Sequence, residues 1–346
     1  METALTKIGD GTIIAKFEQT KAGIVCPEFM EVKPFNGCNY SCSWCYLNGT
    51  YRFNKDERGV LIGKSPTFKD VNKVEEHIQK AMEAIEEPTL FNCGEVSDAL
   101  LFPWMLEQHV IPIFKKSFKE KGHKLLLLTK DTNIGFLYNT KSQDCVIMAF
   151  SVNAEFVSST WEERAPHPWK RLEAARKVSE WGYTVRLRID PMVPVEDWQT
   201  GYRELVDNIM KYVPNAEVIT IGSLRMMTTN LRICEELGND TTYKSYLGEK
   251  TSRDYRVPAA TRIEMFDFVI NELRTKGFKG HIALCKETEE VWKALTNVQV
   301  PERKNEPMIP ARLPSPDKCI CNCKLGMMQK KPVKPKEGKP CKPKEE

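Results

Sequence analysis

Three cysteines, Cys38, Cys42 and Cys45, fall within the eight residues CNYSCSWC. Thiolates are the ligands that zinc and iron–sulfur centres take. A structural zinc site is closed by four side chains, often two CxxC-type pairs, and this loop offers no fourth Cys or His. The other reading is a cubic [4Fe–4S] cluster, in which three thiolates leave one iron free to bind something else. A second group, Cys319, Cys321 and Cys323, occupies alternate positions in CICNC. If extended, the three point to one side, a geometry for a second iron–sulfur cluster, for zinc, or for thiols relaying hydrogen equivalents. No Walker-type loop, GxGxxG or Ser-His-Asp pattern occurs, and the histidines form no HxxxH; His167 and His281 read as structural or surface residues.

Strand-like and helix-like segments alternate around these residues. MEVKPF (30–35) runs straight into the cysteine loop, and KDVNKVEEHIQKAMEAIEE places Val71, Val74, Ile78, Met82 and Ile85 on one helical face. TLFNCGE (89–95) is a strand, and FPWMLEQHVIPIFKKSF a helix with Pro103 suited to its first turn. KLLLLTK (124–130) and DCVIMAFSV (144–152) are buried-strand runs, HPWKRLEAARKVSEWG is a helix stopped by Gly182, and TVRLRIDP (184–191) is a strand. A helix near 198–212, the strand EVITIGSL (217–224), helices near 226–237 and 259–276, HIALC (281–285) and a last helix in KETEEVWKAL follow. This alternation predicts an α/β fold of six or seven parallel units, a barrel or partial barrel. In such folds the site lies at the C-terminal strand ends. Cys38–Cys45, Cys93-Gly94-Glu95, Lys130, Ser151, Asp190 and Arg225 fall there. Arg186, Arg188 and Arg225 either bind a phosphate or carboxylate of the substrate or pair with Asp190 or another acid.

The expected division is an N-terminal segment (1–29), a core barrel (30–300), a Pro-rich connector with CxCxC (301–323) and a Lys/Pro-rich disordered tail (324–346). The tail carries eight lysines and three glutamates, which accounts for the net charge of +4 and leaves the body near neutral. It holds a polyanion loosely or simply solubilises the end. Twelve cysteines with no secretion signal point to buried, catalytic or metal-bound thiols in a reducing cytoplasm, and no apolar run reaches membrane-span length.

The CxxxCxxC gaps, the strand before them and Tyr46 after Cys45 resemble the radical S-adenosylmethionine (SAM) superfamily. The likeness narrows over residues 30–296: LLLLTKDTNIGFL, AFSVNAEFV, RLEAARKVSEWGYTVRLRIDPMVP, TIGSLR and LCKETEEVWKAL look like the spore photoproduct lyase branch. It implies a partial (β/α)6 barrel and a [4Fe–4S] cluster on Cys38, Cys42 and Cys45 whose free iron chelates SAM. It implies SAM contacts at Cys93-Gly94-Glu95, which resembles the superfamily's GGE motif, at Lys130 (carboxylate) and at Ser151 (ribose or carboxylate). Cys93 and Tyr46 are candidate catalytic residues, Cys93 as a hydrogen donor. Two departures favour a sister activity over spore photoproduct repair itself: Glu95 lies near the place of the family's hydrogen-returning cysteine, and Trp44 replaces one of its paired tyrosines. The implied function is hydrogen abstraction from a nucleobase in DNA or RNA, for repair or modification, with a flavodoxin- or ferredoxin-type electron donor. Competing readings are a radical SAM enzyme acting on a free nucleoside, an amino-acid-modified base or a peptide, and a non-catalytic metal-binding nucleic-acid module.

Overall fold

Short apolar runs with little polar alternation need cover on both faces, and parallel strands flanked by helices give it. The structure is a computed structural model and describes residues 13–17, 23–251, 254–296, 313–316 and 319–325. Numbered along the chain, the strands of the main sheet are β1 (Ile14–Phe17), β3 (Phe29–Val32), β6 (Leu90–Cys93), β7 (Lys124–Thr129), β8 (Val146–Val152), β9 (Thr184–Met192), β10 (Val218–Ser223) and β14 (His281–Leu284). They lie side by side in that order. All neighbours are parallel except β1, which runs antiparallel to β3. The six-unit partial barrel expected from sequence is the run β3 to β10, and β14 continues it by one strand. β1 belongs to the sheet although its residues read as a separate N-terminal segment.

Smaller pairings decorate the rim: β2 (Ile24–Val25) with β15 (Glu287–Thr288), β4 (Phe35–Asn36) with β5 (Thr67–Phe68), and a three-stranded sheet of β11 (Arg225–Met227), β13 (Asp254–Arg256) and β12 (Glu249–Lys250). The expected helices are present. Val71–Ala84 buries Val74, Ile78 and Met82 and is capped by Asp70, whose carboxylate accepts from the Lys73 amide. Trp198–Tyr212 matches its expected span. The expected Phe102–Phe118 helix runs from Pro103 to Lys121 with a π turn at Leu106–Val110. Pro112 lacks an amide hydrogen for the regular ladder, and the wider turn just before it absorbs the mismatch.

Side chains alternate across the sheet. Leu125, Leu127 and Phe91 face the helices, while Leu90, Leu126, Ile147 and Ala149 form a separate cluster on the inner face, joined by Leu325. Residues 319–325 lie against that inner face. Arg186 donates to the carbonyls of Asn322 (2.8 Å) and Lys324 (2.9 Å), Asn92 donates to the Cys323 carbonyl (3.3 Å), and the Asn322 amide donates to Thr220 Oγ1 (3.1 Å). The CxCxC end of the expected connector is therefore core. Its extended form is not adopted, because Asn322 and Cys323 make a turn in which the Lys324 amide reaches the Cys321 carbonyl. Cys319 donates its thiol to the Ile282 carbonyl (3.2 Å), away from the other two, so the three thiols do not share one side. The tail beyond residue 325 lies outside the described residues. No helix among the described residues is long and apolar enough to cross a membrane.

Candidate active site

A cavity of about 540 Å³ opens at the C-terminal strand ends, and Cys38, Cys42, Cys45, Lys130, Ser151 and Arg188 are among its walls. Its first wall is the cysteine loop after β4. Gly37 begins it at φ +80°, where an added Cβ would lie 2.3 Å from the Ser65 carbonyl. The Gly37 amide donates to Val96 O (2.9 Å), the Cys38 amide to Lys64 O (2.7 Å) and the Ser43 amide to Trp161 O (2.8 Å). Trp44 is buried against Trp161 and Tyr243, so the residue in place of the expected tyrosine is a packing anchor. The loop is thus fixed while all three thiols stay free and line the cavity.

The donor set fits an anionic thiolate cluster. The Lys64 ammonium is buried without a hydrogen bond of standard geometry. Burial works against its charge, and the sulfurs of Cys45, Cys42 and Cys38 outweigh that and raise its pKa. Burial pushes the Cys38 thiol up to about 12 and the Cys42 thiol up to about 11, so ligation would displace protons. Among the described residues no three His, Cys, Asp or Glu side chains close on a point suited to one metal ion. A cluster asks for something different, since each of the three thiolates binds its own iron.

The opposite wall is the end of β6. Gly94 sits at φ +122°, and a Cβ there would come 2.5 Å from the Leu128 carbonyl. Tyr46 donates its hydroxyl to the Glu95 carbonyl, and Tyr51 donates to the Val96 carbonyl (2.9 Å), which ties the cysteine loop to this turn. Gly94, Glu95 and Tyr46 line the cavity; Cys93 does not. Its side chain is 1% exposed and packs in the core, and burial raises its pKa. The expected catalytic Cys93 is therefore separated from the space it would serve, and as the odd residue of CGE it leaves the Gly94 turn intact.

Lys130 and Ser151 both face the cavity, and residues the sequence did not flag hold them. Glu162 lies 3.4 Å from Lys130 Nζ and 2.6 Å from Arg171 Nη1, all three side chains being buried or nearly so. Arg171 also donates to the Ser151 carbonyl (3.1 Å). Burial opposes charge in this group, yet the mutual attraction prevails: the Glu162 pKa is lowered and the Lys130 pKa raised. Asp98 accepts from Thr129 Oγ1 (2.6 Å), the Lys130 amide (2.7 Å) and the Leu100 amide (3.0 Å), fixing the end of β7.

On β9, Arg188 and Asp190 face the same side. Arg225 forks onto Asp190 at 3.1 and 3.0 Å, and burial is overcome by Arg225 and Arg188, holding the Asp190 carboxyl at about 2. A Cβ at Gly222 would meet Asp190 Oδ1 at 2.8 Å, so any side chain there would push the Asp190 carboxylate aside. Arg188 also approaches Glu95 (3.8 Å). Of the two readings left open for the arginines, pairing holds for Arg225 with Asp190 and for Arg186 with Glu217 (2.6 Å). His281 is exposed, and His167 caps the helix Pro168–Glu180.

A family model described as spore photoproduct lyase matches residues 16–231. The chain belongs to the spore photoproduct lyase family. The matched span takes in the cysteine loop, Gly94, Lys130, Ser151 and Arg225, and stops short of Cys285 and the CxCxC segment. Among curated relatives, the spore photoproduct lyase of Bacillus subtilis (strain 168) is 27% identical over 208 residues, 58% of this chain and 55% of that protein. The chain thus spans about half the length of the curated lyases it matches. Two solved structures share the fold. A spore photoproduct lyase complexed with dinucleoside spore photoproduct superposes with a TM-score of 0.62 at 19% identity, covering 74% of this chain and 75% of the other. A double mutant of that enzyme with bound AdoMet and dinucleoside spore photoproduct gives 0.60 at 18%, covering 77% and 79%.

Proposed function

We propose that this protein is a radical SAM enzyme that abstracts hydrogen from a nucleobase in DNA or RNA, in repair or modification. The observation that carries the reading is the meeting, in one cavity, of three free thiols at CxxxCxxC spacing with Gly94, Glu95, Lys130 and Ser151. Cys38, Cys42 and Cys45 would hold a [4Fe–4S] cluster. When bound, that group supplies the electron for cleavage of SAM to methionine and a 5′-deoxyadenosyl radical, which takes hydrogen from the substrate. The chain's own residues bind and orient. Backbone carbonyls of the Gly94 turn would accept from the SAM amino group, the Lys130 ammonium would balance the SAM carboxylate, and Ser151 would offer a hydroxyl. Support for a nucleobase comes from the relative solved with dinucleoside spore photoproduct and from the cations Arg188 and Lys286 along the cavity, which suit phosphate. A flavodoxin- or ferredoxin-type partner would deliver the electron.

The test is 5′-deoxyadenosine formation by the anaerobically reconstituted full chain given SAM and dithionite. We expect product from wild type and none from Cys38→Ala, Cys42→Ala or Cys45→Ala. Lys130→Ala should weaken SAM binding roughly 10- to 100-fold, the loss of a charge-assisted contact of about 1.5–3 kcal/mol. Product from the triple-alanine variant would overturn the reading. Mass changes in nucleosides digested from DNA and RNA of cells with and without the protein would identify the substrate; changes confined to free nucleosides would move it off nucleic acid.

A further inference from the structure

Four cysteines from three distant parts of the chain surround a second, smaller cavity behind Arg188: Cys26, Cys285, Cys321 and Cys323. None is in a disulfide. Cys26 lies beside β2 and Cys285 follows β14 directly. Cys321 and Cys323 are brought in by the turn that replaces the extended CxCxC, and both line the cavity. An independent observation points to a ligand here. Asn322 lines the same cavity, its side chain is 1% exposed, and neither its amide nitrogen nor its amide oxygen has a hydrogen-bond partner. A buried side-chain amide nitrogen left unpaired costs free energy that an acceptor sulfur of a bound group would recover. The surroundings are also cationic. Arg188 Nη2 donates to Cys285 Sγ at 2.9 Å and Arg225 Nη2 at 3.5 Å, Lys286 lines the cavity, and Arg188 Nε, 3.5 Å from Asp190 Oδ2, is buried without a hydrogen bond. Burial and Asp190 oppose a thiolate at Cys285 and raise its pKa, while Arg188, Arg225 and Lys286 favour it, so ligation there would displace a proton.

We infer that Cys26, Cys285, Cys321 and Cys323 hold a second iron–sulfur cluster, with the Asn322 amide and the Arg188 guanidinium as hydrogen-bond donors to its sulfur. A mononuclear site is disfavoured, because no three of the described thiols close on one ion position; cluster thiolates are shared among irons. Cys319 is not a ligand, since its thiol is turned to the Ile282 carbonyl. Arg188, Glu95 and Lys286 line both cavities, so the second centre would adjoin the first. The inference does not depend on the SAM reading, because it uses other cysteines.

The full chain and its variants are reconstituted anaerobically with ferrous iron and sulfide, desalted, and assayed for iron, acid-labile sulfide and zinc, with electron paramagnetic resonance after reduction. The Cys38→Ala/Cys42→Ala/Cys45→Ala variant should keep iron, sulfide and a reducible signal. Cys321→Ala/Cys323→Ala should lose that share of iron while keeping the wild-type far-ultraviolet circular dichroism. Cys26→Ser/Cys285→Ser, which leaves the C-terminal turn intact, should lose the same share. No iron in the first variant overturns the inference, as do zinc in place of iron, a Cys321–Cys323 disulfide in the reduced anaerobic protein, or unchanged iron in both pair variants. Iron retained by the first variant with no 5′-deoxyadenosine from wild type would sink the SAM reading alone; the reverse pattern would sink only the second cluster.

Discussion

Glu162 sits between two buried cations, 3.4 Å from Lys130 and 2.6 Å from Arg171, and through Arg171 it also steadies the Ser151 carbonyl. Removing one member of a buried ionic group leaves an uncompensated charge, which typically costs about 3–5 kcal/mol. Glu162→Gln should therefore lower the unfolding free energy in a guanidinium titration by about that much. Adding Lys130→Met should recover part of the loss, because one stranded cation goes with it; a double variant no more stable than the single would show that the three charges are not coupled. The sequence exposed only half of this arrangement. Lys130 and Ser151 stand at the ends of apolar runs, where a barrel puts its chemistry, and the cysteine triplet is legible from spacing alone. Glu162 lies in WEER, which reads as a solvated charge run, and Arg171 in a helix whose other charges are on the surface. Lys64 has no local signal at all, since its meaning comes from three sulfurs that the fold brings to it.

At the scale of elements, strands and helices were readable because each parallel strand is an apolar run too short to be a helix and each helix keeps its apolar face. What escaped was pairing that needs a distant partner: β1 on β3, β2 with β15, and the three-stranded sheet built from Arg225–Met227 and residues 249–256. The turn at the end of β6 shows how one element sets the cavity wall. Gly94 at φ +122° is in a region essentially closed to other residues, and a Cβ would meet the Leu128 carbonyl at 2.5 Å. Gly94→Ala should cost about 1–3 kcal/mol from backbone strain, with an added contribution from the clash. The turn also carries the Glu95 carbonyl that Tyr46 holds, so the same variant should bind SAM more weakly, measured by isothermal calorimetry. Wild-type affinity with a lowered melting temperature would mean that the turn is structural and the carbonyls of 94–95 do not touch SAM.

For the molecule as a whole, the least legible feature is that its C-terminal segment fills the inner face of its own sheet. The partners are far apart in sequence: Arg186 meets Asn322 and Lys324, Asn92 meets Cys323, and Thr220 meets the Asn322 amide. No periodicity encodes such contacts, and a Pro- and Lys-rich composition around them reads as a connector. Two forces hold the segment, and they can be separated. One is apolar packing: Cys319 and Cys321 are buried in the main core, and Leu325 packs against Leu90, Leu126, Ile147 and Ala149. The other is Arg186, whose guanidinium serves main-chain carbonyls that would otherwise be buried without donors. Hydrogen bonds from a charged group contribute about 1.5–3 kcal/mol each. Arg186→Met keeps the apolar stem and removes the donors. Amide hydrogen exchange of residues 319–325 should then rise sharply while the amides of β7 and β8 stay protected, and Cys321 and Cys323 should become open to alkylation. Unchanged protection of 319–325 would assign the anchoring to apolar burial alone. Should the segment detach, the small cavity loses two of its four thiols, and the iron assigned to it should be lost in the same variant without any cysteine having been replaced.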